Sequence, residues 1–449
     1  MAFDAGETRP QAAQKVAIIG SGISGLSAAW LASRAHQVTV YEVNGYLGGH
    51  ANTIDVPVGG ETVPVDAGFI VFNKPNYPNL TALFDHLGVA TEESCMSFAA
   101  SMRGGAMEYS GQTLSSVFAN RANAVSPSFW NMLKDISRFH REAKRLIKEG
   151  EGSAFSLRDF VMERRYGDAF VRDFLEPMAS AIWSTPSHDI LDYPALSFFK
   201  FFDNHGLLQV LNLPIWHTVR GGSRTYVEKI SASFSGNVRL RTPVRRVIRS
   251  SGGVTVVEAN GQHDHYDQVV IATHGDTALQ ILDDPDADER AILGAFRYQS
   301  NRAYLHFDAG QMPVRRRAWA SWNYIGGNNG AAISYWMNRL QNLDCERDIF
   351  VTLNPQTPIR DDLIVADFDY EHPMFNIAAG EAQERLWSLQ GRGGVWYCGA
   401  HFGQGFHEDG LQSGLAVAEA LGGVRRPWMV ENESARIHLP AARPLMAAE

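Results

Sequence analysis

The segment that most constrains this chain lies near its start. Apolar Val16, Ala17, Ile18 and Ile19 run into Gly20–Ser21–Gly22–Ile23–Ser24–Gly25, and a helix-patterned stretch follows. A second apolar run, Val38 to Tyr41, then ends on Glu42. Strand, Gly-x-Gly-x-x-Gly turn, helix, strand and acid in that order predict a βαβ unit that holds a dinucleotide. Gly20 permits the tight turn, Gly22 lets the backbone approach a pyrophosphate, and Gly25 lets the helix pack close to the sheet. The pyrophosphate faces the positive end of the helix dipole, and Glu42 accepts from ribose hydroxyls. Gly20, Gly22, Ser24, Gly25 and Glu42 are therefore candidate cofactor-binding residues.

With 449 residues the chain has room for two domains. Its 40 Lys and Arg against 49 Asp and Glu leave a net charge of −9, which argues against general nucleic-acid binding. No apolar run reaches the roughly 18 residues of a membrane span. Met1 to Gln14 is polar, without a hydrophobic signal core, and Cys95, Cys345 and Cys398 are far apart. These features predict a cytoplasmic protein with reduced thiols and no metal site. Residues 1–14 and 425–449 are expected as tails, with Trp428 a candidate to dock.

Nucleotide-domain signals recur twice more. One group spans Val238–Val247, the alternating Val254–Val257 and the apolar Val269–Thr273; the other is Gly394–Ala400 followed by the small-residue helix pattern Gly410–Ala418. The intervening stretches are helix-patterned and aromatic (75–218) or mixed (276–390). An α/β architecture follows. A discontinuous Rossmann-like domain is built from 15–74, 219–275 and 391–424. An α+β substrate domain, from 75–218 and 276–390, is inserted into it.

Three of these pieces, with Gly45–Tyr46–Leu47–Gly48–Gly49–His50 after Glu42, make the chain resemble the FAD-dependent amine oxidase, phytoene desaturase and protoporphyrinogen oxidase superfamily. The resemblance implies an FAD cofactor, with Gly48 and Gly49 passing beside the flavin. It implies that Val244 meets the adenine end through its backbone. It also implies that Gly399, Gly410 and Leu411 lie where the last strand and helix face the pyrimidine. Longer motifs are similar to one branch of that superfamily, bacterial flavoproteins related to the flavoprotein half of plant cyclopropane fatty acid synthases. They are Val65–Asn73, Tyr77–Leu80, Met96–Ala99, Ala181–Pro186, Arg220–Ser223 and Gly405–Gly410. That branch implies a lipid or fatty acyl substrate and an S-adenosylmethionine-dependent lipid methyltransferase as partner.

Departures from the amine oxidases bear on the substrate. Their lysine near flavin N5 belongs to the second half of the chain, yet the last lysine here is Lys229. Their aromatic amine cage is not evident, and Gly399 is followed by Ala400 rather than an acid. The expected activity is hydride transfer from a lipid acyl chain to flavin, by dehydrogenation. The alternatives are a fatty acid double-bond isomerase, an amine oxidase, and a non-catalytic partner of a lipid methyltransferase. His407 and Glu408, just before the flavin-facing helix, and His50, after the glycine pair, are the candidate catalytic residues. His372 ranks behind them, and Asp66 and Asp409 are expected to fix loops through backbone N–H groups. The aromatic runs Phe198–Phe202 and Leu207–Trp216 offer surface for an acyl tunnel. The basic amphipathic stretch 131–148 and Arg315–Arg317 suggest peripheral contact with the inner face of a membrane.

Overall fold

A computed structural model describes residues 12–150, 155–183, 191–208, 214–327 and 330–440. The motif residues Ser184, Thr185 and Pro186, the stretch 209–213 of the expected tunnel lining, and the outer parts of both expected tails lie outside the described residues.

The three nucleotide-domain segments meet in one parallel sheet. Its strands are β1 (Lys15–Ile19), β2 (Gln37–Tyr41), β3 (Gly236–Arg239), β4 (Gln268–Ile271) and β5 (Val395–Tyr397), in the order β3-β2-β1-β4-β5. Ile18 lies opposite both Val40 and Val270, and Val270 opposite Trp396. The central strands are continuously apolar because both faces of such a sheet are covered. The 238–273 group divides between two sheets. After Arg241, at φ +52°, and Pro243, which has no N–H to donate, the chain leaves the parallel sheet. Val244–Ser250, Gly253–Glu258 and His263–Tyr266 then form a separate antiparallel sheet.

Five helices matter for the site: α1 (Ile23–Ala32), α2 (Pro78–Leu87), α3 (Pro127–Glu149), α4 (Arg224–Ala232) and α5 (His407–Leu421). Every residue of α1 is buried. It packs on α5 through small residues. A Cβ on Gly410 would lie 3.0 Å from Ile23 Cγ2, and one on Gly414 would lie 2.2 Å from the Ser24 carbonyl oxygen and 2.3 Å from Ser27 Oγ. The contacts advance along both helices in the same direction, so α1 and α5 run parallel. Their N-termini open at one edge, beyond the carboxyl ends of β1, β4 and β5.

The remainder is built on a seven-stranded sheet in the order Ile364–Met374, Arg297–His306, Phe350–Leu353, Gly330–Trp336, Trp322–Gly327, Phe98–Met102, Met107–Ser110. Helix α3 packs with it and buries Phe129, Met132, Phe139, Ala143 and Leu146. The ring of Phe139 lies 5.4 to 6.5 Å from those of Phe160, Tyr166, Phe170, Phe198, Phe199 and Phe202. This corrects two expectations. The apolar stripe of 131–148 faces protein, because so much apolar area is stabilised most by packing against other rings. The four phenylalanines of Phe198–Phe202 likewise fill core while Lys200 is exposed, and Phe201 extends toward the 405–407 loop, its ring 5.0 Å from that of Phe406. No helix among the described residues is long and apolar enough to cross a membrane.

Residues 425–440 are also better anchored than a tail. Trp428 stacks on Trp30 at 5.6 Å, Arg426 ion-pairs with Glu419 at 2.8 Å, and Ile437 is buried.

The α1–α5 contact predicts a sharp difference between two glycine substitutions. Gly414→Val forces a side chain onto the α1 backbone and is expected to lower stability by about 3 kcal/mol. Gly380→Ala, in the helix Ile377–Leu386 with no atom within 4 Å of the new Cβ, is expected to raise it by up to about 1 kcal/mol. Denaturant unfolding midpoints of the two variants check this.

Candidate functional site

The sheet edge where α1 and α5 begin carries the glycine-rich segments. Gly20 sits at φ +102°, and its N–H donates to Tyr41 O at 2.8 Å, closing the turn onto β2. A Cβ on Gly25 would stand 1.9 Å from Gly20 O, so only glycine lets α1 leave the turn at this angle. Gly22 differs: a Cβ there would meet nothing within 4 Å. Gly48 N donates to Ser21 O at 3.0 Å, and a Cβ on Gly49 would lie 3.1 Å from Gly22 Cα. Two glycine segments thus touch around an open position, with two helix N-termini aimed at it. Backbone N–H groups and the positive ends of two dipoles suit a pyrophosphate and the electron-rich edge of a flavin. The chain therefore fits a flavin dinucleotide.

The other expected cofactor residues differ in what they offer. Glu42 accepts from Ser21 N (3.0 Å), Ser21 Oγ (2.5 Å), Asn44 N (2.8 Å) and Asn44 Nδ2 (3.0 Å). Those donors fill the acceptor positions that the sequence assigned to a ribose, so Glu42 first of all locks the glycine turn to the end of β2. Ser24 lies in the α1–α5 contact, its Cβ 3.7 Å from where a Gly410 Cβ would be. Leu411 is fully buried in the core and, as the fifth residue of α5, lies past the turn whose N–H groups are free, so it offers a cofactor no polar group. Gly399 exchanges hydrogen bonds with Ser413 Oγ, at 3.0 and 3.1 Å. Val244 is half-buried just beyond Thr242, whose N–H donates to Glu42 O at 2.8 Å.

A cluster of aromatic and imidazole rings adjoins this cradle. His50 stacks on Tyr370 at 4.9 Å and lies 5.5 Å from His372 and 6.5 Å from His274. His274 stacks on Tyr298 at 4.2 Å. His407 stacks on Phe69 at 3.7 Å, and its Nε2 is 3.0 Å from Tyr226 Oη. Desolvation lowers three imidazoles of this region: His407 to about 3, His401 to about 3 and His372 to about 4. His50 is lowered well below the ordinary value by burial and by its histidine neighbours, and its Nε2 has no protein partner. Among the described residues no group of three His, Cys, Asp or Glu is placed to hold a metal ion.

This geometry revises the catalytic assignments. His407 is at the expected place, but so weak a base is not a general base at neutral pH. Glu408 is removed from the site altogether. Its carboxylate accepts from Asn79 N (3.0 Å), Asn79 Nδ2 (2.8 Å), Leu80 N (2.9 Å) and Gln412 Nε2 (2.9 Å), which caps the first turn of α2. Asp409 holds the loop before α5 through Gln404 N and Phe406 N, at 2.9 and 2.8 Å. Asp66 ties Thr53, Ser223 and Gln341 together. Sequence reasoning missed Phe69, Tyr226, His274, Tyr298 and Tyr370. Phe69 lies inside a motif that was singled out and Tyr226 follows another, but nothing local to either shows that both meet His407.

Residues 23–338 match the family model described as flavin containing amine oxidoreductase. A Mycobacterium tuberculosis protein provisionally named flavin-containing monoamine oxidase AofH is 25% identical over 271 residues, which cover 57% of this chain and 56% of that protein. The chain thus spans little more than half the length of the curated relatives it matches. Cyclohexylamine oxidase from Brevibacterium oxydans shares the fold with a TM-score of 0.65 at 16% identity, over 91% of this chain and 99% of that one. Putrescine oxidase bound to putrescine gives 0.64 at 16% over 91% and 98%. The CLA-producing fatty acid isomerase from P. acnes gives 0.63 at 14% over 92% and 98%. At such identities the three structures speak to the fold alone.

Two outcomes follow from the site. Gly22→Ala, at φ −63° with open space around the new methyl, is expected to fold with an unchanged unfolding midpoint. It is also expected to bind FAD at least about tenfold more weakly, as bound flavin absorbance after gel filtration would show. The histidines predict acid sensitivity. His50, His372, His401 and His407, with His140, His205 and His306 elsewhere, all titrate below the ordinary value. Below pH ~6.5 the unfolded chain takes up protons that the folded chain refuses, so stability falls as pH drops from there toward 4. Three buried carboxyls, Asp66 at about 6 and the raised Glu408 and Asp409, oppose this but are outnumbered. Thermal midpoints measured from pH 7.5 to 4.5, values chosen to bracket roughly that window, check the sign.

Proposed function

The chain belongs to the flavin-containing amine oxidoreductase family and is an FAD-dependent oxidoreductase, and from that premise we propose that it acts on a C–H bond of an unsaturated or methyl-branched acyl chain. The observation that carries this is how little charge the ring cluster holds: among the described residues its one ion-pair contact is Glu371 beside His274, at 3.3 Å. The last lysine, Lys229, donates to the carbonyls of Leu87 and Gly88 at the end of α2. Burial lowers the basicity of His50, His372 and His407, and Phe69, Phe201 and Phe406 add apolar surface.

Bound FAD supplies a hydride acceptor at N5. The chain's own residues do the rest. The N-termini of α1 and α5 favour negative charge at the cradle. Phe69 and Tyr226 hold the imidazole of His407 in one orientation. If Tyr226 donates to Nε2, the remaining imidazole proton sits on Nδ1 as a donor toward the site.

Dehydrogenation requires a group that accepts the second proton, and His407 at about 3 is a poor acceptor. That favours a second reading within the same substrate class: isomerisation, in which the hydride leaves one carbon and returns to another. A solved fatty acid isomerase of the same fold is consistent with it. Anaerobic mixing of the holoenzyme with unsaturated fatty acids, phospholipids and amines tests both. Lasting flavin bleaching with loss of two hydrogens from the lipid supports dehydrogenation. Unchanged product mass with an oxidised flavin supports isomerisation, and bleaching by amines alone overturns the acyl reading. His407→Ala removes a hydrogen-bonding group rather than a base, and is expected to lower lipid turnover by about tenfold. Unchanged turnover would remove His407 from the mechanism, whereas a holoenzyme that turns over neither lipids nor amines would favour a flavoprotein that only docks on a methyltransferase.

A further inference from the structure

The surface around the start of α3 has a composition unlike the rest of the molecule. Leu114, Val125, Trp130 and Val314 are 77%, 83%, 51% and 72% exposed. They are held on one scaffold. Trp130 Nε1 donates to Ala124 O at 2.9 Å, and its ring lies 5.7 Å from that of Phe118. Val314 stands over Gly105, where a Cβ would be 2.9 Å from its Cγ2. Gly105 O accepts from Arg315 Nη1 and Asn120 Nδ2, at 2.6 and 3.4 Å, and the helix Leu114–Val117 packs on the turn Arg316–Ala318.

The charge is equally one-sided. Within 103–134 and 312–321 there are six Lys or Arg and a single acid, Glu108, in a chain of net charge −9. Glu108 is fully buried and paired with Arg315 at 2.8 Å, so it presents no negative charge to solvent. Arg103 and Arg316 pair with Asp173 and Asp348, whereas exposed Arg121, Lys134 and Arg317 have no ion pair among the described residues. Three exposed aliphatic side chains and a tryptophan amid cations match the interface of an anionic bilayer. Rings such as Trp settle at headgroup depth, aliphatic side chains enter the acyl boundary, and Lys and Arg meet anionic headgroups.

We propose that this face, centred on Trp130 and Val314, docks the protein on the surface of an anionic lipid bilayer. Of the two contacts the sequence suggested, Arg315–Arg317 lies within this face, whereas the stripe of α3 is committed to the core and only the exposed first turn of that helix takes part. The surface stands whatever the substrate is, because none of its residues belongs to the ring cluster or the cradle.

Sedimentation of the full chain with vesicles of phosphatidylcholine, alone or mixed with phosphatidylglycerol, tests it. Binding to the anionic vesicles is expected to exceed binding to the neutral ones by at least about tenfold and to weaken as salt screens the headgroups. Arg121→Glu with Arg317→Glu should abolish the preference. Trp130→Ser with Val314→Ser should weaken binding at low and high salt alike, with flavin content and thermal midpoint unchanged. Should one pair misfold, the other still decides. Equal binding to both vesicle types, no binding, or variants that bind like the parent chain would overturn the proposal. So would a dimer that Trp130→Ser with Val314→Ser dissolves in the absence of vesicle binding, which would assign the face to a second copy.

Discussion

The site depends first on the close approach of α1 and α5. Ser24 and Ser27 face Gly410 and Gly414 with so little room that a single added methyl would strike the α1 backbone. Because the helices are parallel, two dipoles, each about half an elementary charge at its positive end, converge at one edge of the sheet. The same contact seats the loop before α5. Asp409 binds that loop's N–H groups and Arg436, while Glu408 caps α2. Arg436 also reaches Asn76 O, and Arg426 reaches Asn79 Oδ1. The strand-to-helix turns, α2 and residues 425–440 are therefore one buried polar network, and the position of His407 depends on all of it.

Legibility in the sequence tracked how local each signal was. The Gly20–Gly25 turn, both strands beside it and the open position at Gly22 follow from adjacent residues. Apolar runs at 268–271 and 395–397 could be joined to β1 because continuous β-branched segments belong in the middle of a parallel sheet. Glu408 was misplaced for a reason intrinsic to helices. Adjacent residues point about 100° apart, so His407 can face the rings while its neighbour turns under α2. The stripe of α3 was ambiguous because an amphipathic pattern is the same whether the apolar side meets a bilayer or Phe139's neighbours. Docking of Trp428 was expected from its bulk in a polar tail, but its partner Trp30, and the partner Asn79 of Arg426, each more than 300 residues away, had no local signal.

Burial sets the electrostatics of the site. Imidazoles are expensive to charge once desolvated, and clustering them adds mutual repulsion. His50 feels both: it is buried, and His372, His274 and His407 each disfavour its protonation. The carboxylates whose charge acts on the cluster's tyrosines are Asp66, Asp276 and Glu371. Asp66 is engaged by Thr53, Ser223 and Gln341, and Glu371 lies 3.3 Å from His274.

That arrangement discriminates between substrates by what it would cost to bury them. A buried ammonium needs an anionic partner and hydrogen-bond acceptors, and an uncompensated one costs several kcal/mol, by a rough general estimate. Neutral imidazoles offer some acceptors, but buried Asp66 is engaged by Thr53, Ser223 and Gln341, and Glu371 is half exposed to water. A hydrocarbon segment carries no such cost and gains about 25 cal/mol for each Å² of apolar surface removed from water. The same rings that make a poor counter-ion make a good wall for an acyl chain. The family fold supplies the flavin cradle, and the proposed preference for an uncharged substrate rests on the absence of lysine beyond Lys229 and on the lowered basicity of His50, His372 and His407.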